Sequence, residues 1–496
     1  MKLTKLGLAM ASLMGAGLAT EALALDLYVD TKTQQIYAEP GKGRVKLGSF
    51  EKVEDSAAQK AEAAAQKAEI EQIKEDLALK NNELKALDEH MKVAEEVKVK
   101  MGNKGVEFES ADKDFKFRMG GRIHADASYS SGDDNLVNRG TTTHAEANDG
   151  TEIRRARIEM LGTFYKDWDF KSQWDFADNS VSTKDLFIQY TGLKDFEFTA
   201  GQQKQAFSRE LQESSNDMLF MERSLMNALN EPTVDRAIGL NVGSFQKDWT
   251  GQVGIYGDTI APPATGVADE GWAINSRWTY APINEKTKLI HLGIAGNHRN
   301  LNANNDVAGG VLRLRSETSH MSNLFLIDTG TIAGVDAIDM VGLEANGLYG
   351  PFTIGGEYTK MWVERKNAVA SQSNLDYSAW YTEASWTITG ESRKYKKGKF
   401  YKLSPKQNFS LKNGTWGAWE LAGRYSEADL NSGVGTADNG GQMSLLTVAL
   451  NWYLNDTIRF MADYNKTLDL NRPAVATVGG GEPNVDTFML RGQLAF

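Results

Sequence analysis

The chain has no cysteine, only nine prolines, and no long apolar run after its first residues. The lack of cysteine excludes a disulfide scaffold, a thiolate metal site and a cysteine nucleophile. A membrane-spanning helix needs about 20 mostly apolar residues in a row, and no such stretch follows the N-terminal segment. The lack of a long apolar run does not exclude transmembrane β-strands, because only every second residue of such a strand faces lipid.

The chain of 496 residues has no excess of basic over acidic residues, and its formal net charge is −11. An acidic chain argues against nucleic acid as a partner. The histidines after residue 100 are scattered, with no nucleophile elbow and no zinc-type spacing. We therefore predict no enzyme activity, no cofactor and no metal site. These histidines are His124, His144, His291, His298 and His320.

The first 24 residues have the pattern of a secretory signal peptide. Lys2 and Lys5 give a positive start, residues 6–19 form a short apolar core, and a small-x-small cleavage site, "ALA", follows. A buried N-terminal helix is the alternative interpretation. The mature protein is expected to leave the cytoplasm and to begin with a short segment, residues 25–50.

A heptad pattern runs through residues 51–100, where glutamate and lysine surround an apolar seam. Ile70, Leu77 and Leu84 recur every seven residues, and the second seam position is apolar except for Lys80. This spacing predicts a coiled coil of roughly 70 Å that needs sister helices to bury its seam. A solitary amphipathic helix on a surface is the alternative. We place the predicted stalk in the periplasm, with peptidoglycan as its candidate partner.

Over residues 112–496, apolar and polar residues alternate as they do in β-strands. The closing stretch "FMLRGQLAF" places Phe488, Leu490 and Phe496 on one face, opposite Arg491. Aromatic residues lie near many strand ends, and tight turns alternate with long loops. A soluble sandwich would also alternate, but its strands are shorter, about 5–6 residues. The pattern therefore favours an all-β transmembrane barrel.

We predict sixteen antiparallel strands, an even number that returns both chain ends to the periplasm. Residues 311–317 and 323–329 could add one hairpin, which would give eighteen strands, but we assign them to a long loop. The predicted strands cover residues 115–129, 151–165, 168–177, 183–191, 195–203, 236–245, 249–257, 271–280, 286–298, 337–348, 352–364, 376–389, 415–427, 441–454, 457–468 and 484–496.

The strand region is similar to the phosphate-selective porins O and P, through stretches such as "IRRARIEMLGTFYKDWDFKSQWDFA", "GLEANGLYGPFTIGGEY" and "LNWYLNDTIRFMADYN". The resemblance implies a homotrimer of sixteen-stranded barrels in the outer membrane of a Gram-negative bacterium, in contact with lipid and lipopolysaccharide. It implies that the third and fifth outer loops fold inward to narrow each pore. It also matches Arg154 and Arg155 to the paired arginines of the family's "RRAR" motif. The coiled coil is an addition to the best-known members.

Basic side chains on the polar faces of the first and last strands are candidates for lining the pore. Guanidinium groups on a rigid wall can donate paired hydrogen bonds to phosphate oxygens, and a ladder of them lets anions step across. Because strand parity turns only one of two neighbours inward, we favour Arg155 and Arg157 over Arg154. These cations could instead only solvate the wall and pair with nearby carboxylates. The predicted pore-lining residues are Arg118, Arg122, Arg154, Arg155, Arg157, Lys171, Arg459 and Arg491.

Residues 204–236 are predicted to form the inward-folding loop, with Lys204, Arg209 and Arg223 as its basic constriction residues. A second basic cluster, residues 393–412, lies on the periplasmic side and could draw anions through the exit. In the family this turn reaches into the lumen, whereas a solvated loop is the alternative. Four glutamates on the opposite wall also point inward in this pattern, namely Glu344, Glu357, Glu383 and Glu420.

The sequence thus predicts an outer-membrane diffusion channel for small anions of phosphate type. A basic wall facing acidic groups would instead make a transverse field, which passes small polar solutes of either sign. A general diffusion porin is therefore the main alternative. A third possibility is a barrel that mainly anchors a cell-wall tether through the coiled coil.

Overall fold

The computed structural model describes residues 25–50, 57–132, 138–139, 148–257, 270–301, 310–322, 324–366, 374–432, 438–472 and 484–496. The chain divides into two compact units, Met1–Val93 and Ala94–Phe496. The predicted signal peptide, residues 1–24, lies outside the described residues. Among the described residues, no helix is both long and apolar enough to cross a membrane.

The N-terminal unit begins with a small antiparallel sheet, in which strand Leu25–Asp30 pairs with both Ile36–Tyr37 and Arg44–Phe50. The helix Ala57–Glu96 follows and has 40 residues. Within this single chain the apolar heptad residues from Ile70 to Leu87 are exposed, and Leu77, for example, keeps 63% of its accessible surface. The segment predicted as a short N-terminal piece is therefore a folded sheet, and the predicted stalk is a long helix.

The helix stops at Glu96, although the coiled-coil prediction extended to residue 100. The next residues, "VKVKMG", alternate valine and lysine, and β-branched residues favour strands. They form strand Val97–Gly102, which pairs with strand Gly105–Ser110. This hairpin in turn pairs with the start of the first barrel strand, through Val106 and Met119. The barrel unit therefore begins before residue 112.

The larger unit is a closed antiparallel barrel whose wall has sixteen strands, as predicted. Closure comes from pairing of the last strand with the first, for example Leu494 with Ile123. We number the wall strands β1 to β16 in chain order. They are Lys116–Gly132, Gly150–Phe164, Trp168–Asp175, Ser182–Tyr190, Glu197–Lys204, Arg236–Phe245, Trp249–Tyr256, Trp272–Asn284, Lys288–Asn300, Ile332–Tyr349, Phe352–Arg365, Leu375–Thr387, Ala418–Asp429, Gln442–Tyr453, Ile458–Asn471 and Val485–Ala495.

The two faces of the wall differ as the alternation predicted. On β16, Phe488 and Leu490 are 43% and 47% exposed on the outer face, whereas Met489 and Arg491 are buried on the inner face. Aromatic rings pair on the outer face near strand ends, as with Trp419 and Trp452, whose centroids lie 5.0 Å apart. An apolar outer face with aromatic residues near its rims is suited to a lipid bilayer.

The two ends of the barrel carry different connections. At the end that holds both termini of the wall, most turns are short, such as residues 246–248 and 350–351, and one is long, residues 388–417. At the other end the connections are mostly long. We call the connection after β5, residues 205–235, the third loop, and the one after β9, residues 301–331, the fifth loop.

The fifth loop contains the residues that could have formed a further wall hairpin. The described residues of this loop, 301, 310–322 and 324–331, form three short strands, Gly310–Leu312, Arg315–Ser316 and Ile327–Asp328. The first extends the pairing of β10, and the other two pair with each other. The loop's leucines instead pack inside the barrel, where Leu314 and Leu326 are fully buried beside residues of the third loop. The wall therefore has sixteen strands and not eighteen.

Candidate channel constriction

The third loop enters the interior of the barrel, where it contacts several wall strands. At its start, Arg209 Nη2 donates to the Tyr381 hydroxyl on β12 at 2.6 Å. At its middle, the Met221 amide donates to Asp463 on β15 at 2.8 Å, and Arg491 on β16 donates to the Met221 carbonyl at 2.7 Å. Because its start and its middle both contact wall strands, the loop is fixed across the lumen.

A single carboxylate holds the beginning of the third loop. Glu357 on β11 accepts hydrogen bonds from the Ser208 hydroxyl at 2.7 Å, from the Arg209 amide at 2.9 Å and from the Glu210 amide at 2.8 Å. The Tyr381 hydroxyl completes its shell at 2.5 Å. Four donors to one buried carboxylate make this contact a strong structural anchor.

The fifth loop also lies inside the barrel. Its Ser319 hydroxyl lies 3.1 Å from that of Ser128 on β1, and His320 contacts Glu152 on β2 at 2.9 Å. The described residues of both loops therefore contact inward-facing residues of the wall.

A third element enters from the opposite end. The basic cluster 393–412 contains a small hairpin, Lys394–Lys396 with Lys399–Tyr401, which we call the lumen hairpin. Arg277 on β8 donates to the Gly398 carbonyl at 2.8 Å, and Lys399 Nζ donates to the Gln212 carbonyl of the third loop at 3.1 Å. Part of the predicted basic cluster is therefore held in the lumen, and it narrows the exit.

A cavity of about 420 Å³ remains between the third loop, the lumen hairpin and the wall from β1 to β8. We call it the inner chamber. Its lining includes six acidic residues and twice as many basic ones. The basic residues are Arg122, Arg154, Arg155, Arg157, Lys171, Lys184, Lys204, Arg223, Arg236, Arg277, Lys397 and Lys399.

The paired arginines both face this lumen because β2 is irregular at that point. His124 on β1 pairs with Arg155, whereas its neighbour Ala125 pairs with Ile153, so Arg154 is an extra residue in the strand. Such a β-bulge re-aims side chains and breaks the two-residue parity. The parity argument that disfavoured Arg154 therefore does not apply to this strand.

The predicted site residues divide into two groups. Seven lie at the inner chamber, and the other four do not. Arg118 lies nearer the short-turn end, 3.6 Å from Glu159. Arg459 and Arg491 are buried and donate to third-loop carbonyls, and Arg209 is buried beside Glu213, at 2.6 Å. The seven at the chamber are Arg122, Arg154, Arg155, Arg157, Lys171, Lys204 and Arg223.

Sequence reasoning missed several basic residues of the inner chamber, including Lys184 and Arg236. Arg236 starts β6 and was counted only as part of the predicted loop. Lys397 and Lys399 carried a signal, because both belong to the basic cluster 393–412. Lys184 carried none, because it is one charged residue in a mixed strand.

Most carboxylates of the inner chamber are neutralised by direct ion pairs. Asp175 lies 2.7 Å from Arg157 Nε, and Asp185 lies 2.6 Å from Lys171 Nζ and 2.8 Å from Arg236 Nε. Four cations of the chamber have no described carboxylate within 4.0 Å, and the chamber therefore has an excess of uncompensated positive charge. They are Lys184, Lys204, Arg223 and Lys399.

A second cavity, of about 770 Å³, lies on the loop side between β2, the third loop and the fifth loop. We call it the outer chamber. It shares Arg154, Arg223 and Glu231 with the inner chamber, and these three residues form a neck between the two. The outer chamber is more acidic, because its lining also includes Glu152, Glu222 and Glu317.

Loop carboxyl groups at the outer chamber have shifted pKa values. Burial raises the pKa of Glu317 to about 7, with the nearby Glu222 acting in the same direction. Burial also opposes ionisation of Glu222, but Arg154, Arg155 and Arg491 outweigh it and hold the pKa of Glu222 well below its usual value. At neutral pH Glu222 is therefore charged, and Glu317 is near the midpoint of its titration.

The geometry described so far, a closed barrel with an apolar outer face and a polar interior narrowed by loops, defines a porin-type channel. The chain belongs to the family described as phosphate-selective porin O and P, whose model matches residues 117–496. It is 28% identical over 424 residues to Porin O of Pseudomonas aeruginosa, covering 79% of this chain and 91% of that protein. An uncharacterised protein of Caulobacter vibrioides is 29% identical over 370 residues, covering 72% of this chain and 69% of that protein.

Among solved structures, the chain is similar to an anion-selective porin from Comamonas acidovorans, with a TM-score of 0.48 and 13% identity. That similarity covers 77% of this chain and all of the other. The outer membrane channel DcaP of Acinetobacter baumannii matches with a TM-score of 0.44 and 11% identity, covering 78% of this chain and 99% of that one. Family membership identifies the chain as an outer-membrane porin, a transport protein and not an enzyme.

Proposed function

We propose that this porin prefers small anions and admits anions of phosphate type. The observation that carries the proposal is the excess of cations without carboxylate partners in the inner chamber. Charged groups of one sign that line a narrow, poorly hydrated passage raise the local concentration of the opposite ion. The family to which the chain belongs is described as phosphate-selective porin O and P, and this description agrees with the proposed chemistry.

The arginines of the neck and inner chamber suit phosphate in particular. A guanidinium group can donate two parallel hydrogen bonds to a phosphate or carboxylate, which an ammonium group cannot do in the same way. Arg155 is 4% exposed, and its Nη1 atom has no hydrogen-bond partner among the described residues. The atom is buried, so this unused donor capacity serves an oxyanion only where that oxyanion enters the arginine cluster itself.

A general diffusion porin with a transverse field is less well supported by this interior. The four glutamates expected on the opposite wall do point inward, but the third loop and the lumen hairpin cover most of them. Glu344 is 1% exposed at its side chain and lies 2.7 Å from Arg277 and 3.0 Å from His291. Glu420 is fully buried and accepts from the Tyr453 hydroxyl. These carboxylates are neutralised or capped and contribute little negative field to the inner chamber.

The test is chloride current through the purified full chain in a planar bilayer, with phosphate titrated as a blocker. We expect a reversal potential that indicates anion preference, and we expect added phosphate to reduce the chloride current. The matched variant R223Q removes one uncompensated cation, whereas R459Q removes a buried one that lines no chamber. A larger loss of preference in R459Q than in R223Q would contradict the proposal.

We also propose that the helix Ala57–Glu96 forms a parallel coiled coil between three copies of the chain, as a periplasmic stalk. Its exposed heptad seam needs a partner, and Ile at both seam positions of one heptad favours more than two strands. In a parallel arrangement Glu62 and Glu69 would face Lys67 and Lys74 of a neighbouring copy, which favours equal registers. Deleting the helix should weaken trimers but leave each channel conducting. Loss of conductance would contradict this division, and contact with peptidoglycan stays a prediction.

A further inference from the structure

The carboxylate of Glu222 lies in a cradle of three arginines at the top of the neck. Arg154 donates to it through Nε at 2.9 Å and through Nη2 at 3.2 Å. Arg491 Nη2 donates at 3.0 Å, and Arg155 Nη2 lies 3.7 Å away. The arginines come from β2 and β16, two walls of the barrel, whereas Glu222 comes from the third loop.

The cradle has more donor capacity than one carboxylate uses. Arg154 alone satisfies Glu222 with two hydrogen bonds in a fork geometry. Arg155 adds a buried guanidinium whose Nη1 atom has no partner among the described residues. Clusters of guanidinium groups at this density are the usual protein solution for binding a phosphate dianion.

The same cradle can be reached by a permeating solute. Glu222 and Arg154 both line the outer chamber, and the Glu222 side chain is 26% exposed. Arg154 also lines the inner chamber, so the cradle adjoins both cavities.

We propose that Glu222 is a built-in competing anion that sets the affinity of the channel for phosphate. Its carboxylate occupies an oxyanion site formed by Arg154, Arg155 and Arg491 and keeps phosphate from binding there tightly. The site is specific for a small tetrahedral or planar oxyanion with two or more free oxygens. This inference rests on the proposed anion preference and names the residue that limits the strength of phosphate binding.

The physical basis is competition by a tethered group. A carboxylate on a fixed loop acts at a high effective concentration, in the millimolar range or above for a short tether. A free ligand then binds with an apparent dissociation constant equal to the intrinsic one divided by the small fraction of vacant site. Conduction benefits, because an ion must bind well enough to enter the pore and weakly enough to leave it.

The test measures the phosphate concentration that halves the chloride current of the full chain in a planar bilayer. In E222Q the side chain keeps its size but loses its charge, so Arg154 and Arg155 lose the carboxylate within 4.0 Å that the structure gives them, whereas Arg491 keeps Asp126 at 2.6 Å. We expect the half-blocking concentration to fall at least about tenfold, which corresponds to about 1.4 kcal/mol.

The matched control is E231Q, which removes the same charge from the same neck. Glu231 accepts a hydrogen bond from Asn227 and contacts no arginine of the cradle. We expect less than roughly a twofold change in the half-blocking concentration, because only the general field changes. An equal fall in both variants would show a field effect and overturn the proposal.

Further outcomes keep the inference separate from the proposed function. An anion-selective channel in which E222Q blocks no better than the original protein contradicts the role of Glu222 and leaves the anion preference standing. A cation-selective original protein contradicts the proposed function itself. If E222Q does not insert into bilayers, E222D retains the charge on a shorter side chain. We then expect about a threefold fall, and no change would overturn the proposal.

Discussion

The two sides of the barrel interior contain the same types of charged residue, but these residues have different roles. On the side of β10 to β13, wall carboxylates are buried against arginines, as with Glu383 on β12 and Arg209 of the third loop at 2.7 Å. On the side of β1 to β8, cations line a chamber and several of them, such as Arg223 and Lys399, have no carboxylate partner. Arginine–carboxylate pairs hold the third loop in place. The cations without a carboxylate partner leave positive charge at the chamber for the solute, although Arg223 and Lys399 also donate to third-loop carbonyls. The contrast shows that an arginine inside a porin is not thereby a pore residue.

The largest effect is expected from breaking a buried pair on the covered side. In E344Q the Arg277 guanidinium loses its charged partner, and removing one member of a buried pair costs about 3–5 kcal/mol. We expect the barrel to unfold at a lower temperature, measured by its heat-dependent mobility in detergent gels. The control E364Q changes an exposed residue of β11 and should have little effect. Equal stability of E344Q and E364Q would show that the covered side is not structural.

A smaller effect is expected from the unpaired cations of the chamber. The double variant R223Q/K399Q should reduce the chloride-to-potassium permeability ratio roughly fivefold, since a charge near the ion path contributes about 1 kcal/mol in a water-like medium. Stability should fall less than in E344Q, because neither side chain forms a described ion pair and each loses only hydrogen bonds to third-loop carbonyls. Reversal potentials in a potassium chloride gradient give the ratio. A loss of folding without a change in selectivity would show that these two cations stabilise the fold and do not select the solute.

A variant of Glu357, the anchor of the third loop, tests whether this carboxylate holds the loop in place. In E357Q one carboxylate oxygen becomes an amide, and the amides of Arg209 and Glu210 lose charge-assisted acceptors. Loss of such hydrogen bonds costs about 1–3 kcal/mol. We expect faster hydrogen exchange at residues 208–211 and noisier single-channel currents, with the barrel intact. Unchanged exchange would show that the loop is held by its apolar contacts alone.

The smallest effect is expected from pH. Because the pKa of Glu317 is raised to about 7, the group is charged well above that pH and neutral well below it. Its protonation between pH 8 and pH 6 makes the outer chamber less negative, and a raised pKa of His320 through its hydrogen bond to Glu152 acts in the same direction. Anion preference should rise by up to about twofold on acidification. E317Q should retain only the His320 part, and an unchanged pH dependence in E317Q would contradict the assignment.

The barrel could be predicted because its signal is local. A wall strand that faces lipid on one side alternates along the sequence, and residues 484–496 show this clearly in both sequence and structure. The predicted boundaries of the wall strands are mostly within a few residues of the observed ones. The end of the helix was harder to predict. The lysines at residues 98 and 100 continue the charged pattern of the helix, whereas the sequence "VKVKMG" forms strand Val97–Gly102.

The division of the cations could not be predicted, because it depends on contacts between distant segments. The bulge that turns both Arg154 and Arg155 inward follows from pairing with β1, which no local pattern encodes. Arg459 and Arg155 both follow the inward parity and both are buried, yet the third loop covers Arg459 with its carbonyls, whereas Arg155 lines the inner chamber. Sequence identified the inward residues, and three-dimensional pairing decided their roles.

The most direct measurement is the reversal potential of the purified full chain in a potassium chloride gradient, compared between the original protein and R223Q/K399Q. We predict an anion-selective potential for the original protein and a clear shift toward zero for the variant. A cation-selective original protein, or an anion preference that is unchanged in the variant, would contradict the view that uncompensated cations of the inner chamber select the solute.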